Sequence, residues 1–343
     1  MHKLWWSSRD MKLTSIEQVQ KRVGSLPAPR DLKVIDHVDE HARRWLSYAN
    51  FAFIGFGKAG SIQLTPAGGE RAFATVVDSG HVGIPLAALD DGSLVEPDLS
   101  FGALFMVSGM DETLRVNGKV SYIAYGQATL NVEECYLHCA KSFRRSDFWL
   151  PSSTGPSPGE LSDFIGQSRF LVLASINSSG EADVSPKGDP EHLLIQEEEG
   201  VLYLSDRPGN RRIDSFRNIL EQPEVSVLAL VPGCQDVLEL RGKAELCIDD
   251  HLLQRFEING KKPKLIIKIT PASLRVRSSP AITRSALWPS KKGPGDLVPS
   301  EIFKAHIQRS KESSLKAKVA RAAVSLPGAM EKGLELDYKK NMY

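Results

Sequence analysis

The chain repeats itself, and the repeat limits the folds open to it. The segment ALFMVSGMDETLRVNGKVSYI (103–123) aligns without gaps to VLALVPGCQDVLELRGKAELC (227–247). Identities fall at Leu104/Leu228, Val107/Val231, Gly109/Gly233, Leu114/Leu238, Gly118/Gly242 and Lys119/Lys243. Upstream, GSIQLTPAGG (60–69) matches GEADVSPKGD (180–189) at Gly60/Gly180, Pro66/Pro186 and Gly68/Gly188. Each half closes with Arg-Ser-x-x-Trp, at Arg145 to Trp149 and at Arg284 to Trp288. Matches in the same order at offsets of 120, 124 and 139 describe a tandem duplication of one β-rich unit, not a solenoid, because there are only two copies. Two copies in one chain imply an intramolecular version of a symmetric dimer, in which interface sites are built from both copies.

The hydropathy pattern fills in the unit. Residues 14–50 read as helical, with Ile16, Val19 and Val23 on one face and a second pattern from Val34 to Leu46. Strands are expected at 51–54, 60–65, 72–77, 103–107, 114–123 and 128–137, with loops over the Gly-, Pro- and Asp-rich stretch 78–102. PSSTGPSPG (151–159) reads as a linker. A helix near 161–167 then precedes strands at 170–176, 181–185, 201–204, 225–231, 237–248 and 265–276. A basic connector (289–299) leads to a helical tail with Leu315, Val319 and Ala322 as its apolar stripe. The expected division is an N-terminal helical segment (1–50), a first copy (51–150), a linker (151–160), a second copy (161–290) and a tail (291–343).

Composition excludes several partners. Among 343 residues, 43 basic against 42 acidic side chains leave a net charge of +1, which argues against nucleic acid or an anionic membrane as the main partner. No run of about 18 apolar residues occurs, so no membrane-spanning helix is expected. The opening MHKLWWSSRDMKL lacks the apolar core of a signal peptide, and four cysteines are too few for a disulfide scaffold. A cytoplasmic, reducing location is the expectation. Cys135, His138 and Cys139 do not make a zinc site by spacing, since a strand turns His138 away from the two cysteines.

The chemistry concentrates between Gly180 and Leu220. Ser185 and Lys187 share one face of a strand, a placement that suits phosphate. After the Pro208-Gly209 turn, Asn210 is expected to cap a helix whose inner face is Ile213, Phe216, Ile219 and Leu220. Arg211 and Arg212 would then sit in the first turn, unfavourable with the helix dipole by about 0.3–1 kcal/mol each unless an anion is bound. No nucleophile–base constellation stands out, and the Gly92-Ser93 pair has no elbow context.

Ser185-Pro186-Lys187-Gly188-Asp189, Asp206 to Arg212, Val231-Pro232-Gly233, Leu114 to Gly118 and His138 to Lys141 with Arg145, Ser146 and Trp149 together resemble the pyridoxamine 5′-phosphate oxidase-like superfamily. The resemblance spans roughly residues 14–290. It implies a mainly β (α+β) chain: two tandem split β-barrels forming a pseudo-dimer, with short flanking helices and a helical C-terminal tail. It also implies flavin mononucleotide (FMN) at the interface, with the deazaflavin F420 or haem as alternatives. The cofactor residues it implies are Ser185, Lys187, Asn210, Arg211 and Arg212 from the second copy and His138, Lys141 and Trp149 from the first. Trp149 and Trp288 read equally as packing anchors.

The first copy reads Thr65-Pro66-Ala67-Gly68-Gly69 where the second has its Ser-Pro-Lys motif, and the second lacks the His-Cys-Ala-Lys motif. One intact site, and so one flavin per chain, is expected, with the reciprocal site lacking its lysine and both arginines. Such a protein would be a flavin-dependent oxidoreductase acting on a small organic molecule, with NAD(P)H a candidate partner, as a monomeric pseudo-dimer or a homodimer. Haem degradation and a non-catalytic flavin scaffold are the rival readings. Pyridoxamine phosphate oxidation itself is disfavoured, because that activity requires an Arg-x-His clamp and none occurs here.

Overall fold

The structure, a computed structural model, describes residues 12–27, 31–58, 60–152, 159–326 and 328–343. Its core is two antiparallel sheets. The first comprises β2 (Phe51–Lys58), β3 (Ser61–Gly68), β4 (Thr75–Val76), β5 (His81–Pro85), β6 (Ser100–Met106), β7 (Thr113–Ala124) and β8 (Gln127–His138). The second comprises β9 (Phe170–Ile176), β10 (Ala182–Gly188), β11 (Ile195–Glu198), β12 (Val201–Asp206), β13 (Glu224–Leu230), β14 (Asp236–Cys247) and β15 (Leu265–Ser278), with β1 (Lys12–Leu13) added on β14. The strand orders are β3-β2-β6-β7-β8-β5-β4 and β10-β9-β13-β14-β15-β12-β11. These are one topology written twice. Register agrees as well: Pro66 pairs with Phe53 as Pro186 pairs with Val172, and Thr113 pairs with His138 as Val237 pairs with Arg277.

The first strand of each copy is apolar on both faces, and the structure gives the reason. Ala52, Ile54 and Phe56 enter the core of the first sheet, while Phe51 and Phe53 point the other way into a core shared by both copies. In β9, Leu171 and Leu173 serve the second sheet's own core, and Phe170, Val172, Ala174 and Ile176 serve the shared one. Strands buried on both faces lose the polar alternation that a half-exposed strand shows. Burying each large apolar side chain contributes about 1.5–3 kcal/mol, so the shared core holds the copies together without needing a polar contact.

Short helices complete the unit. α1 (Ile16–Val23) is capped by Ser15, and α2 (Glu40–Tyr48) by Asp39, whose carboxylate accepts from Ala42 N. The expected helix from Val34 therefore starts six residues later, since Ile35 bridges to Cys135 in an extended conformation. α3 (Lys141–Arg145) packs on β10, and its counterpart α7 (Pro280–Ser285) packs on β3. Between them lie α4 (Leu161–Gln167), α5 (Asp214–Glu221) and α6 (Asp250–Arg255). Of the expected linker, residues 153–158 lie outside the described residues.

The tail forms α8 (Pro299–Arg309), α9 (Leu315–Ser325) and α10 (Ala329–Lys340). Its buried stripe is not the one the sequence suggests. Leu315 and Val319 are exposed, whereas Ala317, Ala320 and Val324 pack on Leu32 and Ile307. Alanine at the contact lets the helices approach closely, and that outweighs the larger side chains at 315 and 319. Among the described residues, no helix is long and apolar enough to cross a membrane.

Candidate functional site

A cavity of about 460 Å³ opens where the two copies meet. That volume is within the usual range for a small-molecule site. The second copy supplies Ser185 and Lys187 from β10, Asp206 from the end of β12 and Arg207 to Arg212 from the loop after it. The first copy supplies His138 and Cys139 from the end of β8, and Lys141, Ser142 and Arg145 from α3. Seven of the eight residues expected to hold a cofactor thus line one space: Ser185, Lys187, Asn210, Arg211, Arg212, His138 and Lys141.

Trp149 is elsewhere. Its ring stacks in the shared core against Phe143 and Phe148, and its Nε1 donates to Met110 O at 3.1 Å. Trp288 does the same from the other copy, donating to Phe148 O at 2.9 Å. Of the two roles open to these tryptophans, the structure places both as packing anchors.

The loop carrying the arginines also differs from expectation. Helix α5 begins at Asp214 with Ile213 at its cap, so Arg211 and Arg212 precede the helix. Asn210 does not cap it. The Asn210 Oδ1 accepts from Arg212 N at 3.0 Å, closing a side-chain turn, and Arg211 adopts a left-handed φ of 61°. The acidic Asp214 takes the first helical turn, as the dipole favours, and accepts from Arg212 Nε at 2.7 Å. The arginines are therefore not misplaced cations on a helix terminus. Sequence spacing could not reveal this, because the left-handed residue that ends the turn is an arginine and not a glycine.

Charge is the cavity's main property. Lys21, Arg22, Lys141, Arg145, Lys187, Arg207, Arg211, Arg212 and Lys264 line it, against the carboxylates of Asp206 and Asp337. Several of these cations are held by protein partners. Lys187 pairs with Asp206 at 2.7 Å, Lys141 with Asp337 at 2.9 Å and Arg207 with Asp189 at 2.7 Å. Burial works against the charge of Arg212, but Tyr136, Asp214 and Glu134 outweigh it and hold its pKa above the ordinary value. Arg212 Nη1 and Arg207 Nη1 are buried donors with no hydrogen-bond acceptor among the described residues. Burial, with Arg115 and Lys33 nearby, keeps the His138 imidazole neutral; its Nε2 lies 3.4 Å from the Asn210 amide.

Several of these wall residues were missed from the sequence. Lys21, Arg22 and Gly24 come from the end of α1, and Asp337, Asn341 and Tyr343 from the end of the tail. Gly24 has a φ of 87° and lies under Arg211, where an added Cβ would be 3.5 Å from its guanidinium. Neither segment belongs to the repeat, so the comparison of copies carried no signal for them.

The pseudo-equivalent position holds a second cavity of about 370 Å³. Ala67 follows Pro66 there as Lys187 follows Pro186, in line with the missing lysine. The pocket is nevertheless not poor in cations, as the sequence comparison suggested. Arg241, Arg275 and Arg277 line it from β14 and β15, the last at the register position of His138. Two of the three are paired internally: Arg277 reaches Asp90 at 2.9 Å and Glu239 at 2.6 Å, and Arg275 reaches Glu239 at 3.2 Å, while Arg241 donates to the Gln63 amide oxygen at 3.0 Å. Among the described residues, no group of three or more His, Cys, Asp or Glu side chains could hold a metal ion.

Two sheets of one topology, meeting across a shared core with a cation-rich cavity at one junction, define a tandem split-barrel protein. Residues 157–278 match the family model of pyridoxamine 5′-phosphate oxidase, so the second copy is a split barrel of that superfamily, and the first repeats its strand order. No curated protein matches the chain. Among solved structures, the general stress protein 26 of Bacillus anthracis str. Sterne is 22% identical over 34% of this chain and 89% of its own, with a TM-score of 0.28. An F420 reductase is 19% identical, covering 35% and 98%, with a TM-score of 0.27. HupZ of Group A Streptococcus is 13% identical, covering 36% and 97%, with a TM-score of 0.30.

Proposed function

We propose that the chain is an FMN-binding oxidoreductase that holds one flavin in the cavity between its copies. The observation that carries this reading is the charge asymmetry of the two pseudo-equivalent pockets. One sets nine cations against the lining carboxylates of Asp206 and Asp337 and those of Asp189 and Asp214 behind them, and among the described residues leaves two buried donors without acceptors; the other balances three guanidiniums with Asp90, Asp91 and Glu239. A flavin phosphate needs several donors and a positive field, and only the first pocket has that surplus.

In this reading Lys187 and Ser185 on β10, with Arg212 and Arg207, hold the phosphate. His138, as a neutral imidazole, presents a hydrogen-bonding edge without adding charge. FMN, when bound, supplies hydride and single-electron transfer through its ring system, which is why no triad is needed. The protein's own contribution is to orient the ring between copies and to exclude water. The substrate is a small organic molecule, with NAD(P)H a candidate electron source.

Purification followed by a visible spectrum and mass identification of the released cofactor tests the reading. Flavin absorbance at one equivalent per chain is expected, and two equivalents would overturn the single-site assignment. An F420 spectrum would change the cofactor but keep the socket. A Soret band would replace flavin by haem, with His138 the imidazole in the wall.

A further inference from the structure

The cavity has a wall that neither copy provides. Helix α10 runs back across the first copy and delivers Asp337, Asn341 and Tyr343 to the opening. Tyr338 anchors the segment: its ring lies under the Arg144 guanidinium at 4.3 Å, its hydroxyl donates to Glu112 Oε1 at 3.1 Å and it accepts from Ala140 N. Around that anchor, three contacts take a cation of the cavity. Asp337 pairs with Lys141 at 2.9 Å, Met342 O accepts from Arg145 Nη1 at 2.8 Å, and the Tyr343 ring lies 5.7 Å from the Arg207 guanidinium.

These contacts imitate an anionic ligand. A carboxylate, a carbonyl and the face of an aromatic ring are the groups a protein can offer a cation in place of phosphate oxygens. We propose that residues 337–343 are a strap that competes with a phosphorylated ligand for Lys141, Arg145 and Arg207, so that ligand entry releases the strap and loosening the strap tightens ligand binding. The proposal rests on the reading that the cavity takes a phosphorylated ligand. The coupling is reciprocal: whatever the ligand loses in displacing the strap, strap release returns as affinity.

Tyr338→Phe tests this without altering any cavity charge, because it removes only the hydroxyl contacts to Glu112 and Ala140. FMN affinity of the full chain is measured by fluorescence, together with hydrogen exchange of residues 337–343 with and without FMN. The expected results are binding about fivefold tighter in the variant, and faster exchange of the strap when FMN is bound. Unchanged or slower exchange with FMN bound overturns the strap, and the exchange result decides if the two measurements disagree. If FMN binds neither protein, the flavin reading fails and inorganic pyrophosphate becomes the probe. Strap release by pyrophosphate then upholds the competition, and unchanged exchange overturns it.

Discussion

Arg115 of the first copy and Asp183 of the second form an ion pair across the shared interface, with Nη1 2.7 Å from Oδ1 and both side chains buried. The same guanidinium donates to Val184 O at 2.6 Å and to Ser185 Oγ at 3.3 Å, so it also fixes the strand that brings the Ser185 hydroxyl to the cavity. The pseudo-symmetric pair does not exist. By register Glu239 stands at the place of Arg115 and Arg275 at that of Tyr136, and the pocket turns its charges inward. Loss of this one pair on one side is where the two junctions part company.

Removing Arg115 alone should be costly. Arg115→Met leaves Asp183 buried without its cation, which costs about 3–5 kcal/mol. Arg115→Met with Asp183→Leu replaces both charges by apolar groups and should recover most of the loss. Urea denaturation of the three proteins checks this; a double variant no more stable than Arg115→Met would show that the pair is not self-contained.

Ligand retention should separate the socket's cations by their burial. Lys187 is buried against Asp206 and faces the Phe216 ring at 5.3 Å. Lys187→Met should weaken FMN by about tenfold or more, the range for a hydrogen bond to a charged group. Arg211 is exposed and rests over Gly24, so Arg211→Ala should cost less than about threefold. Equilibrium titration by flavin fluorescence measures both, and a larger loss at Arg211 would reverse the ranking.

How far the sequence reached follows from which forces act locally. The tandem repeat of one β-rich unit was legible in the aligned identities, and the pairing of His138 with the Ser185–Arg212 stretch followed from the resemblance together with the motifs that each copy kept. The strands β5 and β11 did not stand out: HVGIP lies in a Gly- and Pro-rich stretch and IQEE is a polar edge. The turn at Arg211 was illegible because its left-handed backbone falls on a residue that rarely adopts it. The tail's share of the cavity was equally hidden, because Tyr338 meets Glu112 across more than 200 positions and no periodicity encodes that.

The second pocket should behave as a brace. The Asp90 side chain is buried, accepts from Ala281 N at 2.7 Å and pairs with Arg277, so it ties a loop of the first copy to α7 of the second. Asp90→Ala should destabilise the chain by about 3 kcal/mol, the scale for breaking a buried charge pair on one side, while flavin stoichiometry stays at one per chain. Chemical denaturation and a flavin-to-protein ratio check the two halves independently.

Acid should loosen the tail through His306. Its ring is fully buried, and burial, with His41, Lys33 and His37 nearby, pushes its pKa down from 6.5 to about 3. Asp39 Oδ1 lies 3.4 Å from Nε2, but that carboxylate is also engaged with Arg309 and with Ala42 N. The folded chain therefore refuses a proton that the unfolded chain accepts between those two values. This contribution is fully present above about pH 6.5 and falls as pH drops, by at most about 1.4 kcal/mol per unit, until the folded pKa is reached. Unfolding at pH 7.5 and 5.5 should show the loss; the buried, neutral His138 contributes in the same sense, so His306→Gln should remove about half of the difference, because glutamine does not titrate. An equal acid sensitivity in the variant would place the effect on another group.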